Sequence, residues 1–314
     1  MRSFTAGKND DGVRLLRFCE KVCPSMPKGM LHKAFRNKRI KINGKKQDEN
    51  YRLVLGDMIE LYINDEFFAD ENITCFKPVD YSALNIIYED ENIILVNKPF
   101  GLLCHSDNKD ESNLIDMILS YLHNKGAYLP EKENTFTPAL CNRIDQGTEG
   151  IVIAAKNYKA LADMNTVIRE NLLEKEYLCI TDSPVNDGEY KAFLKRDKAA
   201  KKVTVTKQKT DNESKEIITV FNTLDRKNKY NLIKCTLITG RTHQIRAHLA
   251  FLGAPIIGDK KYGKAHKGTD SQLLCAYKLS FKNIPDELSV NYLSGKVFEY
   301  KDNSVVDYFN NIWS

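Results

Sequence analysis

The chain has 314 residues, 42% of them hydrophobic and 28% charged, a length that suggests about two domains with cores of their own. No apolar run reaches the ~18 residues of a membrane-spanning helix, and the opening MRSFTAGKNDDG lacks an apolar leader, so a protein that stays in the cytoplasm is expected. The net charge of +5 is unevenly spread: residues 1–63 carry 14 Lys and Arg against 7 Asp and Glu, leaving a net of −2 on the rest. That asymmetry points to a nucleic-acid-binding module joined to a less charged domain. The eight cysteines contain no C-x-x-C pair, which argues against a disulfide framework or a zinc site and for reduced, mostly buried thiols.

Residues 13–24 read as a short amphipathic helix, with Leu15, Cys19 and Val22 on one face and Pro24 ending it. A second helix is expected over 28–37, with Leu31, Ala34 and Phe35 inward. Asn43-Gly44 then marks a hairpin, because a two-residue type I′ turn needs positive φ at both positions. A strand over 58–63 follows the turn at Gly56-Asp57. From Lys28 to Gln47 there are eight basic residues and no acid: Lys28, Lys33, Arg36, Lys38, Arg39, Lys41, Lys45 and Lys46. They form either a solvated charged face or a surface that neutralises phosphates and releases counterions.

A linker is expected over 66–80, so that 1–65 and 81–314 are the two domains. A strand opens the segment 86–103 and is broken by Pro99 and Gly101. Ser112 is placed to cap a helix through His123, with Leu114, Met117, Ile118, Tyr121 and Leu122 as its apolar stripe. A loop covers 124–138, a strand 151–156 and a helix the residues up to Glu170. Further strands are expected over 176–181, 202–206, 216–223 and 230–238, then a helix over 241–252 stopped by Gly253. Strands and helices mix without a regular βαβ alternation, so the class is α+β.

Three segments carry chemistry. In CNRIDQGTEGIVIAAK (141–156), Arg143 and Asp145 alternate on an extended segment and so can face one cleft; the same R-x-D before a strand also suits a plain ion-paired turn. Gly147 and Gly150 allow close backbone approach, here expected toward a ligand. In EKEYLCI (174–180), Tyr177 stands at a strand start, where a core tyrosine is the alternative. In TGRTHQIRAHLAFLGAPIIGDKKYG (239–263), Arg241 and Arg246 open a helix whose N-terminus favours anions. His243 and His248 are five apart and do not make an i, i+4 metal pair, and the P-loop-like run from Gly258 ends in Ala265 without the hydroxyl that a nucleotide-bound Mg²⁺ needs. No G-x-S-x-G elbow exists, which disfavours a Ser-His-Asp hydrolase.

Together these segments resemble the RluA-type family of RNA pseudouridine synthases. Its signature runs roughly H-R-L-D-x-x-T-S-G, against Asn142-Arg143-Ile144-Asp145-Gln146-Gly147-Thr148-Glu149-Gly150 here. G-R-T-H-Q-I-R-x-H and L-G-x-P-I-x-G-D-x-x-Y-G are matched nearly throughout from Gly240 to Gly263. The segments 93–105 and 273–281 are also similar, and RLLRFC, LHKAFRNKRIKING and YRLVLGD resemble an S4 RNA-binding domain in the expected order.

The resemblance implies a mixed, mostly antiparallel central sheet flanked by helices, plus a small S4-like α/β domain. It implies an enzyme without cofactor or metal that isomerises uridines in structured RNA, ribosomal large-subunit RNA first and transfer RNA second, acting as a monomer. Asp145 is then the essential carboxylate, Arg246 its partner and Tyr177 the residue against the uracil face. Arg143, Thr148, Arg241, His243, Gln244 and Leu274 are expected to bind substrate, with Arg143 wedged into the base stack and Leu274 on the pocket floor. Two positions depart from the family pattern. Asn142 stands where a His is usual, so no proton transfer is expected there, and Glu149 replaces a small residue. The rival on the same scaffold is an RNA-binding assembly factor without activity. The basic stretch 191–209 is either a second RNA-contacting loop or a solvated hairpin.

Overall fold

A computed structural model describes residues 1–68, 78–106, 111–197, 199–200 and 202–312. The first unit holds β1 (Arg2–Thr5), α1 (Leu15–Val22), α2 (Lys28–Arg36), β2 (Ile40–Ile42), β3 (Lys45–Lys46) and β4 (Met58–Leu61). Its sheet runs β1-β4-β2-β3. α1 buries Leu15, Phe18, Cys19 and Val22, the i, i+3, i+4, i+7 stripe of a helix with one apolar face. α2 turns Leu31, Ala34 and Phe35 inward, as the spacing predicts. Asn43 (φ 51°) and Gly44 (φ 76°) form the hairpin turn between β2 and β3. β1 was not foreseen, because RSFT is short and only half-buried. Phe68 packs into this core, and most of the expected linker, 69–77, lies outside the described residues.

The second unit holds β5 (Asn85–Glu89), β6 (Ile93–Lys98), α3 (Leu114–Asn124), β7 (Ala139–Leu140), β8 (Glu149–Ala155), α4 (Tyr158–Arg169) and β9 (Leu173–Thr181). It continues with β10 (Gly188–Asp197), β11 (Lys202–Thr206), β12 (Lys215–Lys227), β13 (Tyr230–Leu237), α5 (Gln244–Phe251), β14 (Leu274–Phe281), β15 (Val297–Glu299) and α6 (Ser304–Asn311). Among the described residues these strands form one sheet in the order β11-β10-β12-β13-β9-β14-β8-β6-β5, with β15 on β14 and β7 on β8. Every pairing of named strands is antiparallel except β8 with β14. The architecture is therefore mixed, with a mostly antiparallel sheet.

β6 and β8 are buried along their whole length, and their residues alternate between two cores. Ile94, Val96, Val152 and Ala154 face α3 and α5, while Ile93, Leu95, Ile151 and Ile153 face α4. A continuous apolar run is what a strand covered on both faces requires. The strand expected at the head of 86–103 proves to be two, paired antiparallel. The cap of α3 is Asn113, whose side chain accepts from the Asp116 N–H, and not Ser112. α5 begins at Gln244 and not at Arg241, because His243 leaves the helical region at φ 55°.

The two units are docked by polar contacts. Buried Asp10 accepts from Asn134 Nδ2 (2.7 Å) and Thr135 Oγ1 (2.6 Å). Asn9 donates to Glu133 (2.8 Å) and accepts the N–H of Tyr158 (3.0 Å), the first residue of α4, so the first unit helps to cap a helix of the second.

The parallel junction of β8 and β14 depends on Gly150, at φ 123°. A Cβ there would stand 2.3 Å from the carbonyl oxygen of Ala276, and one on Gly147 would stand 1.9 Å from Ser271 Oγ. Both glycines therefore admit neighbouring chain rather than a ligand, which corrects the expectation from sequence. Gly150→Ala is expected to cost at least about 3 kcal/mol in urea unfolding. Gly29→Ala, with nothing within 4 Å of the added methyl, should leave stability unchanged or raise it by up to about 1 kcal/mol.

Candidate active site

Asp145 sits on the loop between β7 and β8, and that loop is fixed at several points. Its turn is closed by the Thr148 N–H donating to the Asp145 carbonyl (3.0 Å). Asn142 Oδ1 accepts from the Ile153 N–H on β8 (2.8 Å), so the residue in the histidine position is a backbone tie. Thr148 is buried, with its hydroxyl accepting from Gln272 Nε2 (3.2 Å), and Ser271 Oγ donates to the Gly147 carbonyl (3.2 Å).

Lys98, at the end of β6, is fully buried. Its ammonium donates to the carbonyls of Pro99 (2.8 Å), Leu102 (2.8 Å) and Gln146 (3.0 Å). All three protons are thereby used, and the residue after Asp145 is tied to the 99–102 turn. Burial pulls the Lys98 amine down to about 8, opposed by Cys104, Asp145 and Glu149.

Glu149, the other departure from the family pattern, is buried and accepts from the Ser304 N–H (2.8 Å) and Oγ (2.7 Å). Its carboxylate thus stands at the N-terminus of α6, where a negative charge is favoured. Burial raises its pKa, and the bonds from Ser304 oppose that rise.

Arg246 on α5 joins this loop to the 259–262 turn. Its Nε and one terminal nitrogen grip both oxygens of Asp259 (2.7 and 2.9 Å), and its other terminal nitrogen donates to Asp145 Oδ2 (2.7 Å). Asp259 is fully buried and also accepts from the N–H groups of Lys261 (2.9 Å) and Tyr262 (3.1 Å). Burial pushes the Asp259 carboxyl up, but the guanidinium and these N–H groups hold it below its ordinary value. Burial likewise opposes charge on Arg246, and the two carboxylates outweigh it and keep the guanidinium ionised. The guanidinium also lies over the Tyr262 ring, 5.3 Å from its centroid.

Asp145 thus has one oxygen held and one, Oδ1, with no hydrogen-bond partner among the described residues. Its side chain is 24% exposed and opens into a cleft of about 510 Å³. All nine residues expected in the catalytic or substrate-binding set line that one cleft. Tyr177 and Leu274 are buried at its wall, with Leu237 and Ile245 beside them. Burial first, and the Asp145 charge second, push the Tyr177 hydroxyl well above its ordinary value, so it stays a phenol. Arg143 and Arg241 are exposed at the cleft without ionic partners among the described residues.

Gln244 lines the cleft but is buried, and the four hydrogen bonds of its side chain go to protein: Thr239, the Arg241 N–H, the Ile218 carbonyl and Thr219. Lys175 lines the cleft without an ionic partner among the described residues, and burial lowers its amine pKa. Sequence reading missed Lys98, Lys175, Asp259 and Tyr262. A lysine in a run as apolar as IILVNK was the available signal for Lys98.

None of the eight basic residues between Lys28 and Lys46 lines the cleft. They stand on α2, on the turn that follows it and on the β2–β3 hairpin, and all but Lys41 are exposed. Lys28 pairs with Glu20 (3.5 Å), and Lys41 lies over the Tyr62 ring (5.0 Å).

The cleft therefore offers an apolar wall, a rim of cations and one carboxylate with a free oxygen. That combination suits a flat neutral ring carried on an anionic backbone.

Comparison with known proteins agrees with this geometry. Residues 92–251 match the family described as RNA pseudouridylate synthase. The chain is 36% identical over 265 residues to the ribosomal large subunit pseudouridine synthase C of Rickettsia bellii, covering 80% of this chain and 82% of that one. It is 33% identical over 304 residues to an RNA pseudouridine synthase of Mycoplasma capricolum, covering 95% and 96%. The fold is similar to that of human RNA pseudouridylate synthase domain containing 4, with a TM-score of 0.55 at 20% identity over 70% of this chain and 90% of that one.

The two carboxylates on Arg246 should differ in what they contribute. Asp259→Asn strips charge compensation from a buried guanidinium and is expected to cost about 3–5 kcal/mol in urea unfolding. Asp145→Asn, at the partly exposed end, should change stability by less than about 1 kcal/mol.

Proposed function

The chain belongs to the RNA pseudouridylate synthase family, and we propose that the uridines it isomerises lie in large-subunit ribosomal RNA. The reaction breaks the N1–C1′ bond, turns the uracil and joins C5 to C1′. The electron pair of the broken bond leaves with N1, and a C5=C6 π pair forms the new bond. C5 then loses its proton and N1 ends protonated, with no net oxidation.

Asp145 is the reacting carboxylate in this reading. Arg246 holds Oδ2 and leaves Oδ1 to meet C1′, by direct attack or by stabilising the sugar cation while the base is detached. The observation that carries the reading is that an ionised arginine, itself anchored by buried Asp259, presents this carboxylate to a cleft with an apolar wall. Tyr177 lies against the uracil face; held as a phenol, it can relay a proton only by accepting one as it gives one. Extruding the target base costs roughly a few kcal/mol. Arg143 fills the gap in the stack, and Arg241 and Lys175 bind the backbone that carries the flipped nucleotide.

The first unit acts as an S4-like RNA-binding domain. The order of two helices and a hairpin, and basic side chains exposed on α2 and that hairpin, support this. The ribosomal choice is supported by the naming of the Rickettsia relative, with transfer RNA the second candidate.

Asp145→Ala should fold and bind RNA but leave no pseudouridine at the target in a mapping assay; near-normal product would overturn its role. Replacing Lys33, Arg36, Lys38 and Arg39 by Gln should weaken binding and flatten the slope of log K against log salt by roughly 0.7–0.9 per lost phosphate contact. An unchanged slope would remove the first unit from the RNA interface.

A further inference from the structure

His243 is the residue just before α5, held at φ 55° and ψ 20° in the left-handed region, which non-glycine residues seldom occupy. Such a conformation persists where surroundings enforce it. Here the enforcing contact is Tyr262, whose hydroxyl is 2.7 Å from His243 Nδ1 with the two rings edge to face. The same hydroxyl accepts the N–H of Val203 on β11 (3.0 Å).

This arrangement favours one placement of the protons. A phenol has one proton to give. With the Val203 N–H filling one acceptor site, a hydroxyl proton directed at His243 Nδ1, its only other hydrogen-bond partner among the described residues, uses the phenol as donor and acceptor at once. Neutral His243 then carries its own proton on Nε2. That nitrogen stands 3.7 Å from Asp145 Oδ2, the oxygen that Arg246 grips at 2.7 Å. A second proton on Nδ1 would turn that nitrogen into a donor and leave the Tyr262 proton without an acceptor among the described residues. Burial and the nearby Arg246 and Lys261 also disfavour the charged ring, against the pull of Asp145 and Asp259.

We propose that His243 is a positioning residue for Asp145: its Nε2–H, set by the relay from Val203 through Tyr262, closes on Oδ2 when RNA fills the cleft and leaves Oδ1 as the reacting oxygen. Catalytic hydrogen bonds are often long before substrate binds and tighten in the complex. Tyr262 serves twice, since its ring also lies under the Arg246 guanidinium. The relay begins on the edge strand β11, so both groups that hold Oδ2 are braced by one tyrosine that β11 supports. The proposal rests on the reading of Asp145 as the reacting carboxylate.

The test compares wild type with Tyr262→Phe, His243→Ala, His243→Gln, Asp145→Ala and the Tyr262→Phe/His243→Ala double variant. The readouts are single-turnover pseudouridine formation and RNA affinity. Phe keeps the ring beneath Arg246, and Gln keeps an N–H near the Nε2 position. Tyr262→Phe should slow turnover about tenfold with affinity nearly unchanged, the scale of one well-placed hydrogen bond. His243→Ala should slow it more, His243→Gln should recover most of that loss, and the double variant should be no slower than His243→Ala alone. Long-range proton–nitrogen spectra should find the wild-type ring proton on Nε2, and a mixture of tautomers in Tyr262→Phe.

Multiplying effects in the double variant, no recovery by Gln, or a wild-type proton on Nδ1 would overturn the proposal. So would wild-type rates in the His243 and Tyr262 variants alongside an inactive Asp145→Ala, a result that leaves the reading of Asp145 intact. Product from Asp145→Ala would overturn that reading instead.

Discussion

A guanidinium buried under the cleft is the constraint on which the site depends. Desolvating Arg246 is costly unless its charge is matched and its donors are used. Asp259 does this with a bidentate pair and is itself held by two backbone N–H groups. The arginine has one direction left to point, and it points at Asp145. Asp145 can then remain partly exposed, where a ligand reaches it, while its partner stays rigid. In the proposed reading, stability and function are divided between two aspartates on one arginine.

The fold brings these groups together at a seam. β8 and β14 meet in the one parallel pairing of named strands, and Gly150 allows the approach. The Asp145 loop enters β8 at that seam and is tied from the other side by Lys98. Two departures from the family pattern are absorbed by this framework. Asn142 bonds to the backbone of β8 without needing to titrate. Glu149 is matched to the N-terminus of α6, so an acid in place of a small residue gains a structural partner.

Much of this was legible in the sequence. α1 and α2 follow from their apolar spacing, and the hairpin from Asn43-Gly44. Asp145, Arg246 and Tyr177 came from motif resemblance rather than periodicity, and the cleft gathers all three. What escaped depends on contacts distant in the chain. Nothing in their spacing reveals that Asp259 pairs with Arg246, or that Lys98 meets the Gln146 carbonyl. β10 was missed because GEYKAFLKRD buries only Ala192 and Leu194 among charged neighbours. The start of α5 was placed too early because Thr242 and His243 read as helix, whereas His243 stands in the left-handed region with its ring against Tyr262.

The central claim is that the position of one carboxylate oxygen governs the chemistry. Joining C5 to C1′ expels the hydrogen on C5, so release of tritium from ribosomal RNA labelled at uridine C5 follows the reaction directly. Asp145→Glu keeps the charge and moves it by one methylene. It is expected to slow tritium release by on the order of 10²-fold or more with RNA affinity unchanged, the scale of loss that ångström misplacement of a reacting group produces. Release within tenfold of wild type would contradict the account.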